Sequence, residues 1–148
     1  MRDSRELDGI DFLLAQTCRM HYVRVHELLE TIGLYRGQPP LLHALWEKEG
    51  LSHTELAAHL QITPATTTKM IQRMEKAGFV QRRPDPQDQR LSRVYLTEAG
   101  RAIRSEVEAV WSQIEAETFA GFSSEEKDAL RLTFRKIQTN LSKEKPEP

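Results

Sequence analysis

The chain of 148 residues contains a single cysteine, Cys18, so it has no internal disulfide and its fold must rest on packing, as in a reducing compartment. No apolar stretch approaches the roughly 18 consecutive residues a membrane span requires. The first eleven residues are charged and lack the basic-then-apolar order of a secretion signal, which points to a cytoplasmic protein. There is no nucleophile elbow, glycine-rich phosphate loop, paired-carboxylate signature or zinc motif, so the sequence does not read as an enzyme and calls for no cofactor. His21 and His26 are five apart, which does not place them on one helix face, and no histidine follows His59. Even with His43 and Cys18 added, no metal set forms. Cys18 has only Arg19 and His21 near it to lower its pKa, so it reads as a plain buried or half-buried thiol.

Net charge is also nearly absent, at -1, but the average conceals a segregation. Residues 51–101 hold eight Lys/Arg against five Asp/Glu, leaving the excess of acid in the flanks. A basic centre on an acidic scaffold suits a module that faces phosphates.

The apolar pattern divides the chain. Ile10, Leu13, Leu14, Cys18, Tyr22, Val25, Leu28 and Leu29 make a helical stripe over 8–31. Pro39 and Pro40 can open a second helix through Leu41, Leu42, Leu45 and Trp46, with Gly50 as its stop. Ser52 and Glu55 form a capping box ahead of a short helix to Leu60. After the tight turn Gln61-Ile62-Thr63, Thr63 caps a helix that begins at Pro64 and stops at Gly78. The period then alternates: 79–83 and 91–96 read as strands around a Pro- and Asp-rich loop. Thr97 caps a long helix striped by Ile103, Val107, Val110, Trp111 and Ile114. After Gly121, a second capping box, Ser123 to Glu126, opens a last helix bearing Leu130, Phe134, Ile137 and Leu141.

This predicts a mainly α (α+β winged helix) fold with about six helices and a two- or three-stranded wing. The divisions are an N-terminal dimerisation helix over 1–37 and a winged helix-turn-helix domain over 38–101. C-terminal dimerisation helices follow over 102–142, with a polar, Pro-containing disordered tail over 143–148. The apolar faces of the two ends lack a partner in the centre, and a second copy of the chain is the simplest cover.

Within the centre, Ala57 or Ala58 can fill the helix crossing, with Leu56, Leu60 and Ile62 beneath. Thr67, Ile71 and Met74 can face inward, with Met70 beside them. The opposite face then presents Thr66, Lys69, Gln72 and Arg73, with Thr68 on its flank and no acid. Such a helix fits a major groove: Pro64, Ala65, Thr66 and Thr68 allow close approach, and Lys69 and Arg73 can bind guanine or phosphate. Ser52 and His53, at the start of the preceding helix, are further candidates for duplex DNA contact. At the hairpin tip, Asp88 can hold Arg90 in a pose for minor-groove insertion. The alternative is a winged-helix module that binds proteins, which would need an apolar recognition face.

Asp88 to Gly100, DQRLSRVYLTEAG, matches the wing pattern D-x-R-x-x-x-V-x-L-T-x-x-G, and residues 52–83 end in a Gly-Phe-Val-x-Arg exit. In these features the chain resembles the MarR family of bacterial transcriptional regulators over roughly 8–142. The resemblance implies a homodimer that sets two winged domains on a pseudo-palindromic operator, and repression relieved by a small ligand. It makes Arg90 the minor-groove arginine and Asp88 its orienter. The sequence departs from the family pattern at Thr67, where Val is usual, and at Gln72, where Asp is common. The resemblance also implies a ligand cleft for aromatic acids or phenols. Candidates for it are His21, Tyr35, Arg36, His43, Trp46 and Trp111. Arg36 would pair with a carboxylate, although Trp46 and Trp111 lie on apolar stripes whose ordinary place is the core.

Overall fold

The capping signals become the helix boundaries. The computed structural model describes residues 9–35 and 37–142; the expected tail over 143–148 and the candidate Arg36 lie outside them. The elements run α1 (Ile10–Glu30), α2 (Gln38–Glu47), β1 (Leu51–Ser52), α3 (His53–Leu60) and α4 (Pro64–Lys76). They continue with β2 (Val80–Pro84), β3 (Ser92–Leu96), α5 (Glu98–Ala102), α6 (Arg104–Thr118) and α7 (Ser124–Leu141). Both capping boxes are complete, at Ser52/Glu55 and at Ser123/Glu126. Each satisfies two backbone N–H groups that the first helical turn would otherwise leave open.

The helix predicted after Thr97 is two helices. Ile103 separates α5 from α6, yet the Ile103 N–H still donates to Ala99 O and the Val107 N–H to Ile103 O, both at 3.0 Å. Both bonds have the helical i to i−4 spacing, so helical hydrogen bonding is kept on each side of Ile103.

The sheet has three antiparallel strands in the order β1-β3-β2, so the hairpin is joined by the short strand that precedes α3. Val80 pairs with Leu96 and Leu51 with Val94, which puts Val80, Val94 and Leu96 on the buried face. Around them lie Leu41, Leu42, Leu45, Leu56, Ile71 and Met74, all fully buried. Ala57, not Ala58, is the buried small residue of α3.

The chain divides into two compact units, Met1–Ser112 and Gln113–Pro148. In the first, the α1 stripe is buried only at its C-terminal end, by Val25, Leu28 and Leu29. Ile10 is 87% exposed, and Leu13, Tyr22 and Cys18 are also open to solvent, so the expected burial of the Cys18 thiol is not found. In the second unit no residue of α7 is buried, and Leu132, Phe134 and Leu141 are exposed. Periodicity announced these stripes correctly as helical, but much of each apolar face stays open to solvent among the described residues.

Gly100 is the most closely packed of the described glycines. A Cβ there would overlap the Phe79 carbonyl oxygen and press on Leu96 Cδ2. The Gly100 carbonyl also accepts from Trp46 Nε1 at 2.8 Å, which pins α2 to α5. Phe79 is backbone and cannot move without disturbing β2. Gly100→Ala is therefore expected to destabilise the fold by about 1–3 kcal/mol through overpacking, read as a lowered midpoint in urea denaturation; an unchanged midpoint would show that the contact relaxes freely.

Candidate nucleic-acid interface

The candidate interface is built on α4. Thr63 caps it, its Oγ1 accepting from the Thr66 N–H at 3.2 Å, and Pro64 occupies the first turn, where its missing N–H costs nothing. Thr67, Ile71 and Met74 are buried. The Thr67 hydroxyl donates to Thr63 O at 3.0 Å, so a residue shaped like valine is buried without an orphaned donor. The helix ends at Gly78, at φ 86, with the Phe79 N–H bonded to Met74 O and the Gly78 N–H to Glu75 O. This Schellman arrangement turns the chain directly into β2.

With that face buried, helical geometry sends Pro64, Ala65, Thr66, Lys69, Gln72 and Arg73 outward, and all six are exposed. Thr68 is half-buried and is not free. Its Oγ1 lies 3.2 Å from His53 Nδ1. His53 itself turns its ring inward, with Nε2 buried and unpartnered, rather than presenting it to solvent as the sequence suggested. Burial holds the His53 pKa below its ordinary value; Arg82 pushes the same way and Glu75 opposes. Ser52 spends its hydroxyl on the capping box, accepting from the Glu55 N–H at 3.1 Å.

At the hairpin tip the Arg90 side chain is 93% exposed. Asp88 Oδ1 accepts from both the Arg90 backbone N–H, at 3.1 Å, and its Nε, at 3.3 Å. The loop below is held by Asp85, whose Oδ1 accepts from the Gln87 N–H at 2.7 Å and the Asp88 N–H at 3.2 Å.

Two ion-pair arrangements around this surface were not read from the sequence. Glu75 on α4 takes the Arg82 guanidinium at 2.9 Å and the Arg82 backbone N–H at 3.0 Å, tying the helix to β2. This pair sits one turn beyond Gln72, the position where the family's usual acid is missing. Arg82 lowers the Glu75 pKa, and Glu75 raises that of Arg82. The second centres on Arg93 of β3. Its Nε donates to Asp85, its Nη1 to Gly50 O at 2.8 Å, and Glu55 lies 3.7 Å away. One guanidinium thus joins the hairpin loop, the turn before β1 and the first turn of α3. Nothing local in sequence signals it, because Arg93 and Gly50 are 43 positions apart.

These features, a capped α3–α4 pair followed by a wing with an exposed tip arginine, have close parallels. The MarR family model matches residues 34–92. The chain is 32% identical over 120 residues to the uncharacterized HTH-type transcriptional regulator YwoH of Bacillus subtilis, covering 81% of this chain and 87% of that protein. The chain belongs to the MarR family. It is a DNA-binding winged helix-turn-helix transcriptional regulator, of a family that consists of regulators rather than enzymes. A MarR-like transcription regulator of Bacillus cereus superposes with a TM-score of 0.76 at 26% identity, covering 94% of this chain and 98% of that one. A structure of BpsR from Bordetella bronchiseptica, described as showing how 6-hydroxynicotinic acid regulates its DNA binding, gives 0.73 at 26% identity over 89% and 94% of the two chains.

Of the five candidate ligand residues that are described, the structure gathers three. His43, Trp46 and Trp111 line one cleft. Tyr35 lies apart, over a groove beside Thr66, Lys69 and Arg73, and His21 is exposed on α1 and lines neither. Trp111, placed in the core by its stripe, is 44% exposed because the cleft opens beside it. Among the described residues, no helix is long and apolar enough to cross a membrane, and no cluster of three or more His, Cys, Asp or Glu could hold a metal.

The Arg93 guanidinium holds the Asp85 carboxyl below the usual aspartate range, helped by the Gln87 and Asp88 N–H groups. A depressed carboxylate contributes stability that is complete above its unfolded value and is lost as pH falls through its folded one. The stability difference between wild type and Arg93→Ala is therefore expected to be full at neutral pH and to shrink below about pH 4. Urea denaturation at a series of pH values would check this; curves that stay parallel into acid would contradict it.

Proposed function

We propose that this MarR-family chain is a cytoplasmic repressor that acts as a homodimer on a pseudo-palindromic operator and is released by a small aromatic ligand. The observation that carries the DNA-facing part is the amphipathic split of α4, which exposes Lys69, Gln72 and Arg73 without an intervening acid. Pro64, Ala65 and Thr66 approach the base edges, and Lys69 and Arg73 contact guanine or phosphate. Arg90, steadied by Asp88, enters the adjacent minor groove. Ser52, His53 and Thr68 act behind this surface, in capping α3 and seating it on α4.

Pairing through α1 and α7 is supported by their exposed apolar residues, including Ile10, Leu13, Leu132 and Phe134, which two copies can bury against each other. Ligand release is supported by the cleft at His43, Trp46 and Trp111, and by the relative BpsR, whose DNA binding is described as regulated by a small aromatic acid. The cleft borders α2, which packs against α3 and β3, so a ligand wedged there bears on the elements that carry the wing. A protein-binding role for the recognition face is disfavoured, because the exposed face of α4 is polar and cationic.

Arg90→Ala is expected to weaken operator binding by about 1–3 kcal/mol, while the mass of the free protein in light scattering stays that of the wild type. Gel-shift titration at several salt concentrations should show affinity falling steeply with salt. Unchanged affinity in the variant would remove Arg90 from the interface, and a flat salt profile would remove the phosphate contacts. Phe134→Asp is expected to convert the dimer to monomer; a stable dimer in light scattering would refute pairing through α7.

A further inference from the structure

The chain has two tryptophans, and both line the same cleft, a volume of about 540 Å³ between α2 and α6. Pro39, Pro40 and Val107 add apolar wall. The charged lining is unbalanced. Among the described residues, and counting histidine as neutral, there are two carboxylates, Glu47 and Glu108, and one guanidinium, Arg104.

That guanidinium is already engaged twice. Its carbon lies 5.7 Å from the centroid of the Trp46 ring, and its Nε donates to Glu108 Oε1 at 2.9 Å. Among the described residues the Glu47 carboxylate has the His43 ring beside it, at 3.7 Å, and its side chain is largely open to solvent. The Trp111 indole is exposed as well.

We infer that the cleft selects a flat aromatic cation over an aromatic acid. The inference rests on the reading above that this cleft is the ligand site, and it names the ligand's charge. An indole face carries negative quadrupolar charge and attracts a cation placed over it. The chain's own Arg104 shows that Trp46 accepts a planar cation in this setting. An incoming aromatic cation stacks on Trp111 and pairs with Glu47, whose described partner, the His43 ring, lies 3.7 Å away. An aromatic carboxylate meets Glu47 and Glu108 instead, and the one described cation is spent on Glu108 and the Trp46 ring. The aromatic acid expected from sequence depended on Arg36, which lies outside the described residues.

The test uses two probes of the same ring and opposite charge, N-methylquinolinium and quinoline-2-carboxylate. Each is titrated calorimetrically into the full chain, with tryptophan fluorescence followed in parallel. The cation is expected to bind about tenfold more tightly than the acid, the sum of a partly desolvated cation–π contact and one ion pair. Glu47→Gln, a change at a surface side chain, should weaken the cation about fivefold and leave the acid no weaker. Trp111→Ala should weaken the cation further. Equal or tighter binding of the acid, or an unmoved cation affinity in Glu47→Gln, overturns the charge assignment while leaving the cleft as a ligand site. Binding of neither probe, with tryptophan emission unchanged, overturns both.

Discussion

Everything at the proposed DNA-facing surface follows from the burial of one side of α4. Thr67, Ile71 and Met74 are fully excluded from water, and each buried aliphatic side chain contributes about 1.5–3 kcal/mol relative to exposure. A helix has no freedom to rotate once such a stripe is fixed. Lys69, Gln72 and Arg73 then face outward because the inward positions are taken. Thr67 belongs to that stripe only because its hydroxyl turns back to Thr63 O; an unsatisfied hydroxyl there would oppose the packing it serves.

Fixing the helix is not enough to fix an interface. The wing must hold its place relative to α4, and short strands give it little rigidity. Glu75–Arg82 clamps the end of α4 to β2, and Arg93 joins the hairpin loop to Gly50 and the start of α3. The tip below Arg90 is braced in turn by Asp85, which accepts two backbone N–H groups and the Arg93 guanidinium. Preorganisation of this kind lowers the ordering cost that a mobile ribbon would meet on binding.

Local chemistry was legible in the sequence, and distant chemistry was not. Ser52/Glu55, Thr63/Pro64, Gly78 and Ser123/Glu126 mark their boundaries because each cap is satisfied within a few residues. The inward face of α4 was legible because its spacing is helical and its outward face lacks acid. Arg93 escaped because its partners lie across turns that only the folded sheet brings together. Glu75–Arg82 escaped because the two residues, seven apart, meet only when the Gly78 turn returns β2 to the end of α4. The exposure of Trp111 and of the Cys18 thiol differs from the sequence expectation for a common reason. A periodic apolar stripe states which face is apolar, not whether the same chain supplies a cover for it. Trp111 borders an open cleft, and Ile10, Leu13 and Cys18 stay exposed in the single chain.

The most direct test of the central claim, that paired copies read duplex DNA with the outward face of α4 and the tip arginine, is selection of bound sequences from random duplexes. The expected result is enrichment of an inverted repeat whose half-sites are centred about one helical turn apart. A pool that emerges without sequence enrichment, or with a single unpaired half-site, would contradict it.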